Sequence, residues 1–336
     1  MPPYYFVHRL LLKDNLHHSL ELKMDKRVEN LLELLLSLLR EPPEDVEIKG
    51  SYPEDLTPIL SWLKRTFGVP TKVAYLGPEG SYTHEAAVTA FPGAQLLPSK
   101  TISEVFEKVS KNEAKYGIVP IANRLEGPVN ETIDNLFFHN LYIKSALEIP
   151  IKIVLASNEE TDLNTIQKIY GHPMIFGQAR KILDKLKVPT IPTRSTSEAA
   201  LLAKSEKGAA ALCSPLAASI YNLKILQDSV EDNPNNSTKF FVLSKYYREE
   251  GDYTVLLASV KHQPGGLYEF LKPFAESGVN LTMIYSRPMK DIPWHYVFYI
   301  ELEGSIKDLK SVIEEARKSS VFIKLLGSYD LLEITR

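Results

Sequence analysis

A chain of 336 residues is long enough for two or three domains, and chains near this length bury about three quarters of their unfolded surface. A formal net charge of −3 with 44% hydrophobic residues leaves no basic footprint, which excludes nucleic acid and an anionic membrane surface as expected partners and favours a small molecule. The single cysteine, Cys213, excludes an internal disulfide; in its apolar run 209–213 it reads as a buried, inert thiol, and with no leader pattern and no apolar run of about 18 residues the expected setting is soluble and cytoplasmic.

Residues 1–71 read as a helical extension. A leucine-rich helix over 28–40 is stopped by Pro42-Pro43, and a second runs to Phe67 with Thr57 as N-cap and Pro58 as first helical residue. The first strand of an α/β region covers 72–76, followed by the turn 77–81. A glycine-containing loop that opens a helix offers backbone N–H groups to an anion, although a plain Gly-Pro turn reads the same way. The stretch 116–136, YGIVPIANRLEGPVNETIDNL, passes from apolar strand to polar loop to helix, with Pro128 as expected first helical residue. Asn123, Arg124 and Glu126 fall in that loop, at the strand end where open α/β sheets bind ligands. Strands over 142–148 and 151–157 are expected to carry the chain into a second lobe. There a strand at 166–170, a helix at 176–186, a capping box Ser195-Thr196-Ser197-Glu198 on a helix over 198–204 and a strand at 209–213 follow. A strand at 224–228 is expected to return the chain to the first lobe, which 238–243 closes. Residues 252–336 read strand 253–260, helix 267–276, strands 281–287 and 294–301, helix 306–316 and strand 322–326, the βαββαβ order of a ferredoxin-like domain.

Five segments together resemble one family. The stretch 116–136 resembles the prephenate dehydratase segment VPIENSxEGxVxxTLD, and GPEGSYTHEAA at 77–87 resembles that family's GPxGTFSHxAA. Gly171-His172-Pro173, Ser195-Thr196-Ser197-Glu198-Ala199-Ala200 and Asn236-Ser237-Thr238-Lys239-Phe240 are similar to its HP, STAEAA and NxTRF signatures, in the same order. In the last region, Gly265-Gly266-Leu267-Tyr268 and Tyr285-Ser286-Arg287-Pro288 resemble the GALY-like loop and ESRP of the ACT domain that follows in these enzymes.

The resemblance implies an α/β fold: a dehydratase region (72–247) in two lobes similar to those of periplasmic binding proteins, then a ferredoxin-like ACT regulatory domain (252–336). It implies expulsion of carbon dioxide and water from prephenate to give phenylpyruvate for phenylalanine biosynthesis, without cofactor or metal. Thr238 is implied as the group that protonates the departing hydroxide. The implied substrate-binding residues are Gly80, Ser81, Asn123, Arg124, Glu126, Ser195, Thr196, Asn236, Lys239 and Phe240. The effector phenylalanine is implied at Gly265, Gly266, Leu267, Asn280, Leu281, Ser286, Arg287 and Pro288, and a homo-oligomer, dimer or tetramer, through the ACT domains.

Departures from the motifs frame alternatives. Lys239 replaces the arginine of TRF, losing the fork that grips a carboxylate in two bonds, and Ala122-Asn123-Arg124 replaces Glu-Asn-Ser. Arg124 is expected to supply the missing fork, and the lost glutamate leaves arogenate as an alternative substrate. Gly266 and Tyr285 depart in the regulatory domain, and a non-catalytic sensor of aromatic amino acids is the alternative from another class. The stretch from Lys23 to Arg40 is faintly similar to the first helix of chorismate mutase. The acids of 41–50 interrupt that likeness, so a degenerate or structural extension is expected rather than an active mutase.

Overall fold

The computed structural model describes residues 71–288 and 296–333; the helices expected over 28–40 and 57–67 lie outside the described residues. Elements are numbered from the first described residue. The chain opens with β1 (Lys72–Leu76), α1 (Tyr82–Ala90), β2 (Gln95–Ser99), α2 (Ile102–Ser110), β3 (Tyr116–Asn123), β4 (Gly127–Pro128), α3 (Asn130–Phe138) and β5 (Tyr142–Pro150). β1 pairs in parallel with β2 and β3. The Gly117–Ile121 run is apolar because β3 is covered on both faces, as inner strands of such sheets are: Ile118 belongs to one buried cluster and Val119 and Ile121 to another. α2 carries its apolar residues at helical spacing, Ile102, Val105, Phe106 and Val109, all buried, and Thr101 caps it by accepting from the Glu104 N–H.

The second lobe holds β6 (Val154–Ser157), β7 (Lys168–Gly171), α4 (Pro173–Gln178), α5 (Arg180–Leu186), β8 (Thr190–Pro192), α6 (Thr196–Ser205), β9 (Ala209–Cys213), α7 (Pro215–Ile220) and β10 (Lys224–Gln227), with sheet order β10-β6-β9-β7-β8. β11 (Ser237–Ser244) then returns to the first sheet between β3 and β5, antiparallel to both. The regulatory unit follows as β12 (Tyr253–Val260), α8 (Gly266–Glu276), β13 (Leu281–Pro288), β14 (Tyr296–Glu303), α9 (Ile306–Arg317) and β15 (Ser320–Tyr329), with sheet order β13-β14-β12-β15. That is the ferredoxin-like arrangement expected from the element order.

Four expectations need correction. Pro128 does not begin a helix: Gly127 and Pro128 form β4, which pairs back onto Asn123 and Ala122, and α3 starts at Asn130. The helix expected at 176–186 is two helices, α4 and α5, because both carboxylate oxygens of Asp232 accept the Arg180 and Lys181 N–H groups and open a new N-terminus there. β10 does not return to the first lobe; it pairs with β6, and the crossing is made by the residues between it and β11. Finally, β16 (Leu331–Glu333) leaves the regulatory sheet and pairs in parallel with β5.

Candidate active site

β1 and β3 run in parallel toward the same end of the sheet, β3 reaching past the end of β1 to Asn123. β11 enters antiparallel beside β3 with Thr238 opposite Asn123, so the loops after β1 and β3 open at the end of the sheet where β11 begins. The register between β3 and β11 slips there, Lys239 facing Ala122 but Phe240 facing Pro120. The extra residue is Ile121, and such a bulge re-aims the side chains beyond it.

Asn123 is the hub of that end of the sheet. Its Nδ2 donates to the Ser237 carbonyl at 3.0 Å and to Thr238 Oγ1 at 2.9 Å, while its Oδ1 accepts the N–H groups of Leu125 and Glu126, both at 3.0 Å. The side chain therefore locks the loop in an Asx-type turn and has no capacity left for a ligand. Thr238 is 9% exposed. Because its oxygen accepts from Asn123, its own hydroxyl proton is directed onward. Two residues earlier, and so on the same face of the chain, Asn236 is 3% exposed, its Nδ2 donates to Gln178 Oε1 at 3.3 Å and its Oδ1 has no hydrogen-bond partner among the described residues. Gln178 ends α4 and its carbonyl accepts the Asp232 N–H at 2.7 Å. Nothing in the motifs singled it out; only the folded crossing brings it to Asn236.

Gly80 and Ser81 lie in the loop after β1, whose N–H groups were expected to hold an anion. The structure uses them internally. Gly77 donates to the Ser99 carbonyl, Ser81 to the Pro78 carbonyl and Gly80 to Nδ1 of His84 at 3.0 Å. The His84 ring stacks on Tyr75 at 4.9 Å, and burial lowers its pKa against the opposing charge of Glu79, which suits an acceptor nitrogen. Gly80 has φ +80° and is pressed against the second lobe: a Cβ there would lie 3.0 Å from Ala217 and 3.1 Å from Ser197 Oγ. Only glycine meets both demands.

Across from this loop, Ser195 caps α6 by accepting the Glu198 N–H at 3.0 Å. The reciprocal half of the capping box is absent, since the Glu198 carboxylate takes the Arg194 N–H at 2.6 Å. Thr196 is buried, and Ser197 is fully buried with an Oγ that has no partner among the described residues.

Three expected ligands stand elsewhere. Side chains alternate along β11, so Lys239 cannot share the face of Thr238; it ion-pairs with Glu301 of β14 at 2.9 Å. Arg124 pairs with Glu148 of β5 at 2.9 Å, and Glu148, which faces Lys239 in the ladder, also accepts from Ser237 Oγ. Phe240 is 1% exposed in the core cluster with Val73, Tyr75 and Ile118. The motif departures at 122, 124 and 239 thus lie together on the sheet face toward the regulatory unit, and the expected exchange of a substrate fork from Lys239 to Arg124 is not what this geometry builds. Glu126 is exposed at the loop tip.

In the regulatory unit Gly265 takes φ +80° at the N-cap of α8, and a Cβ on Gly266 would lie 2.4 Å from the Lys261 carbonyl. The alanine usual in the motif would not fit this turn. A cavity of about 140 Å3 adjoins the loop, lined by residues that include His262, Leu267, Tyr296 and Phe298. Asn280 donates to Glu303 at 3.0 Å, Leu281 is half-buried, and Ser286 and Pro288 are exposed. Arg287 grips Asp134 of α3 in two bonds. Burial pushes the Cys213 thiol up to about 12, which leaves it inert.

The fold and site define a two-lobed α/β enzyme of small-molecule chemistry joined to a ferredoxin-like regulatory unit. The family model for prephenate dehydratase matches residues 73–247, and that for the ACT domain residues 254–319. The chain belongs to the prephenate dehydratase family. It is 35% identical over 306 residues to the bifunctional chorismate mutase/prephenate dehydratase of Pseudomonas aeruginosa, covering 89% of this chain and 82% of that one. Among solved structures, the prephenate dehydratase of Arthrobacter aurescens in complex with L-Phe matches with TM-score 0.70 and 31% identity over 77% of this chain and 90% of that one. GqqA, described as a novel type of quorum-quenching acylase, matches with TM-score 0.72 and 27% identity over 77% and 97%.

Proposed function

We propose that Thr238 is the group that assists departure of the ring hydroxyl as this prephenate dehydratase converts prephenate to phenylpyruvate. In that reaction the bond from the ring to its carboxylate breaks to release carbon dioxide and its electrons enter the ring. The bond to the ring oxygen breaks at the other end, and the oxygen takes a proton to leave as water. Aromatisation drives the change, so the protein's task is to orient the ring and stabilise the departing oxygen.

The observation that carries the assignment is the bond from Asn123 Nδ2 to a buried Thr238 Oγ1, 2.9 Å. It directs the hydroxyl proton away from the protein, and the same N–H stabilises negative charge on Oγ1 as that proton leaves. Asn236 Oδ1 and Ser197 Oγ, buried and without partners among the described residues, are the groups we assign to the substrate's polar atoms, together with Ser195 and Thr196. Gly80 and Ser81, whose N–H groups are spent within their own loop and the helix it opens, are assigned to shaping the wall beside Ser197. Asn123 positions Thr238. Lys239, Arg124 and Phe240 are assigned to structure. Ala122, whose missing carboxylate was the reason to consider arogenate, faces Lys239 in the ladder and so lies on the sheet face away from Thr238, which removes that reason. The acylase chemistry of the other structural neighbour calls for an activated nucleophile, and among the described residues no histidine is hydrogen-bonded to Thr238 and the single cysteine is inert.

Phenylalanine is the proposed effector, held by the Gly265–Leu267 loop, the 280–288 strand and the cavity beside them; the L-Phe complex of a relative with this fold supports it. We assign residues 72–247 to the dehydratase region, 252–336 to the ACT region with β16 lent back, and 1–71 to an extension. β13 lies at the edge of its sheet, and a homo-oligomer through the ACT sheets of a cytoplasmic enzyme is the proposed assembly. The deciding assay follows phenylpyruvate from prephenate: Thr238→Ala should lower kcat by about 10²–10⁴ with the melting temperature kept. Wild-type turnover in that variant would remove Thr238 from the chemistry.

A further inference from the structure

Two motif residues that catalysis leaves unused meet each other. Asp134 closes the segment 116–136 at the place of the motif's final aspartate, and Arg287 is the arginine of the Tyr285-Ser286-Arg287-Pro288 segment, 153 residues away. Arg287 Nε donates to Asp134 Oδ1 at 3.0 Å and Nη2 to Oδ2 at 2.7 Å, with the side chains only 20% and 21% exposed. A two-bond guanidinium–carboxylate grip fixes direction as well as distance.

The element gripped is α3. Its N-terminal end follows directly from the turn that Asn123 locks: Val129 donates to the Ile121 carbonyl at 2.8 Å and Thr132 Oγ1 to the Pro120 carbonyl at 2.6 Å, at the bulged residue and the one before it. Its C-terminal end is also held by the regulatory unit. Lys324 Nζ donates to the carbonyls of Leu136, Phe137 and His139 at 2.9, 3.0 and 2.6 Å, a cation on the negative end of the helix dipole. Phe137 lies 5.8 Å from Phe322, ring to ring. A nine-residue helix is a rod of about 14 Å, so a shift at Asp134 reaches the bulge that sets Asn123 against Thr238.

We propose that Asp134 and Arg287 are positioning residues of the dehydratase site: the regulatory unit holds α3, and through it the Asn123–Thr238 geometry, by this ion pair. An amino-acid effector whose carboxylate draws on the same guanidinium weakens that hold. This rests on the reading that prephenate is the substrate and phenylalanine the effector.

The test uses the full chain. Wild type is assayed first for prephenate turnover and for its response to phenylalanine; absence of either is a failure of the functional reading and not of this pair. Asp134→Asn, Arg287→Gln and the exchanged pair Asp134→Arg with Arg287→Asp are then compared at a temperature where melting curves show each to be folded. Each single variant should lose about fivefold or more in kcat, within the usual range of coupling between sites. The exchanged pair should regain most of that kcat while remaining insensitive to phenylalanine, since no guanidinium stands at 287. The readout specific to positioning is hydrogen exchange of the 130–138 amides, faster in the single variants and slowed again in the exchanged pair. Single variants that keep wild-type kcat and wild-type exchange in α3 overturn the proposal, as does an exchanged pair that restores the phenylalanine response and not turnover.

Discussion

At the scale of single residues the Asn123 amide decides how Thr238 works. A carboxamide can both hold the loop, through Oδ1, and donate to Thr238, through Nδ2; a carboxylate can only accept. Asn123→Asp keeps the bonds from the Leu125 and Glu126 N–H groups but turns the hydroxyl of Thr238 back toward the new carboxylate. The loop should therefore survive while the proton is pointed the wrong way. The expected outcome is a fall in kcat of roughly 10²-fold or more, the scale of a lost proton donor, with a change of melting temperature much smaller than that of Asn123→Ala, which gives up all four bonds. Steady-state kinetics beside calorimetry separates the two effects. Equal kinetic losses in the Asp and Ala variants with equal melting temperatures would show that the direction of the Thr238 proton is immaterial.

At the scale of an element, β11 carries chemistry on one face and cohesion on the other. Thr238 and Phe240 face one side, while Lys239 and Phe241 face the regulatory unit, where Glu301 also accepts from Thr282 Oγ1 at 2.7 Å and from the Tyr299 hydroxyl at 3.2 Å. Burial alone pushes the Glu301 carboxyl up, but the Lys239 charge and the hydrogen bonds from Lys239 and Thr282 outweigh it and hold it below the usual carboxylate range. A carboxyl depressed by folding stabilises the protein above its unfolded pKa, and that contribution is lost as pH falls through the lower, folded value. Acid melting curves of wild type should therefore steepen below about pH 4.3, the ordinary glutamate value, and Glu301→Gln should flatten that limb. At neutral pH the same variant leaves the half-buried Lys239 ammonium without its partner, a loss smaller than the about 3–5 kcal/mol of a fully buried broken pair. Identical acid limbs for the two proteins would mean that Glu301 is not the linked group. The alternation that separates 238 from 239 is legible in the sequence, and it bars the two from sharing a ligand on one strand face. What the strand's letters lack is the identity of each face's neighbour, because Glu301 arrives from a strand 62 positions later. For the same reason the strands β3, β9, β11 and β12 could be read from apolar runs, and Ser195 from its cap. The closure of the Gly77–Ser81 loop by His84, the split at Ala179 and the place of Gln178 depend on partners such as Ser99 and Asp232, which local pattern does not name.

At the scale of the whole molecule the catalytic and regulatory parts share one core. A single buried cluster joins Val119, Ile121, Ile133 and Phe241 of the first lobe to Val255, Leu257, Tyr299, Leu326 and Tyr329 of the regulatory unit. The Phe241 and Tyr329 rings meet at 5.5 Å, and a Cβ on Gly251 would lie 2.5 Å from the Tyr329 nitrogen, so the linker itself is packed in. β16 then completes the catalytic sheet beside β5. The βαββαβ order foretold the regulatory fold, but not this return, because three residues at the end of a chain carry no periodicity to read. The consequence concerns truncation. A chain ended at residue 248 loses β16, bares one apolar face of β3 and β11, strips Lys239 of Glu301 and frees both holds on α3. Domain stabilities are about 5–15 kcal/mol, and the transfer of a whole core face into water is of that size. The truncated protein should therefore aggregate or unfold rather than behave as an unregulated dehydratase, seen as loss of a monodisperse peak in sizing chromatography and of prephenate turnover. A soluble, cooperatively melting 1–248 fragment with wild-type kcat would show that the shared core is a convenience of packing, and would place the hold of the regulatory unit on Thr238 outside the dehydratase reaction.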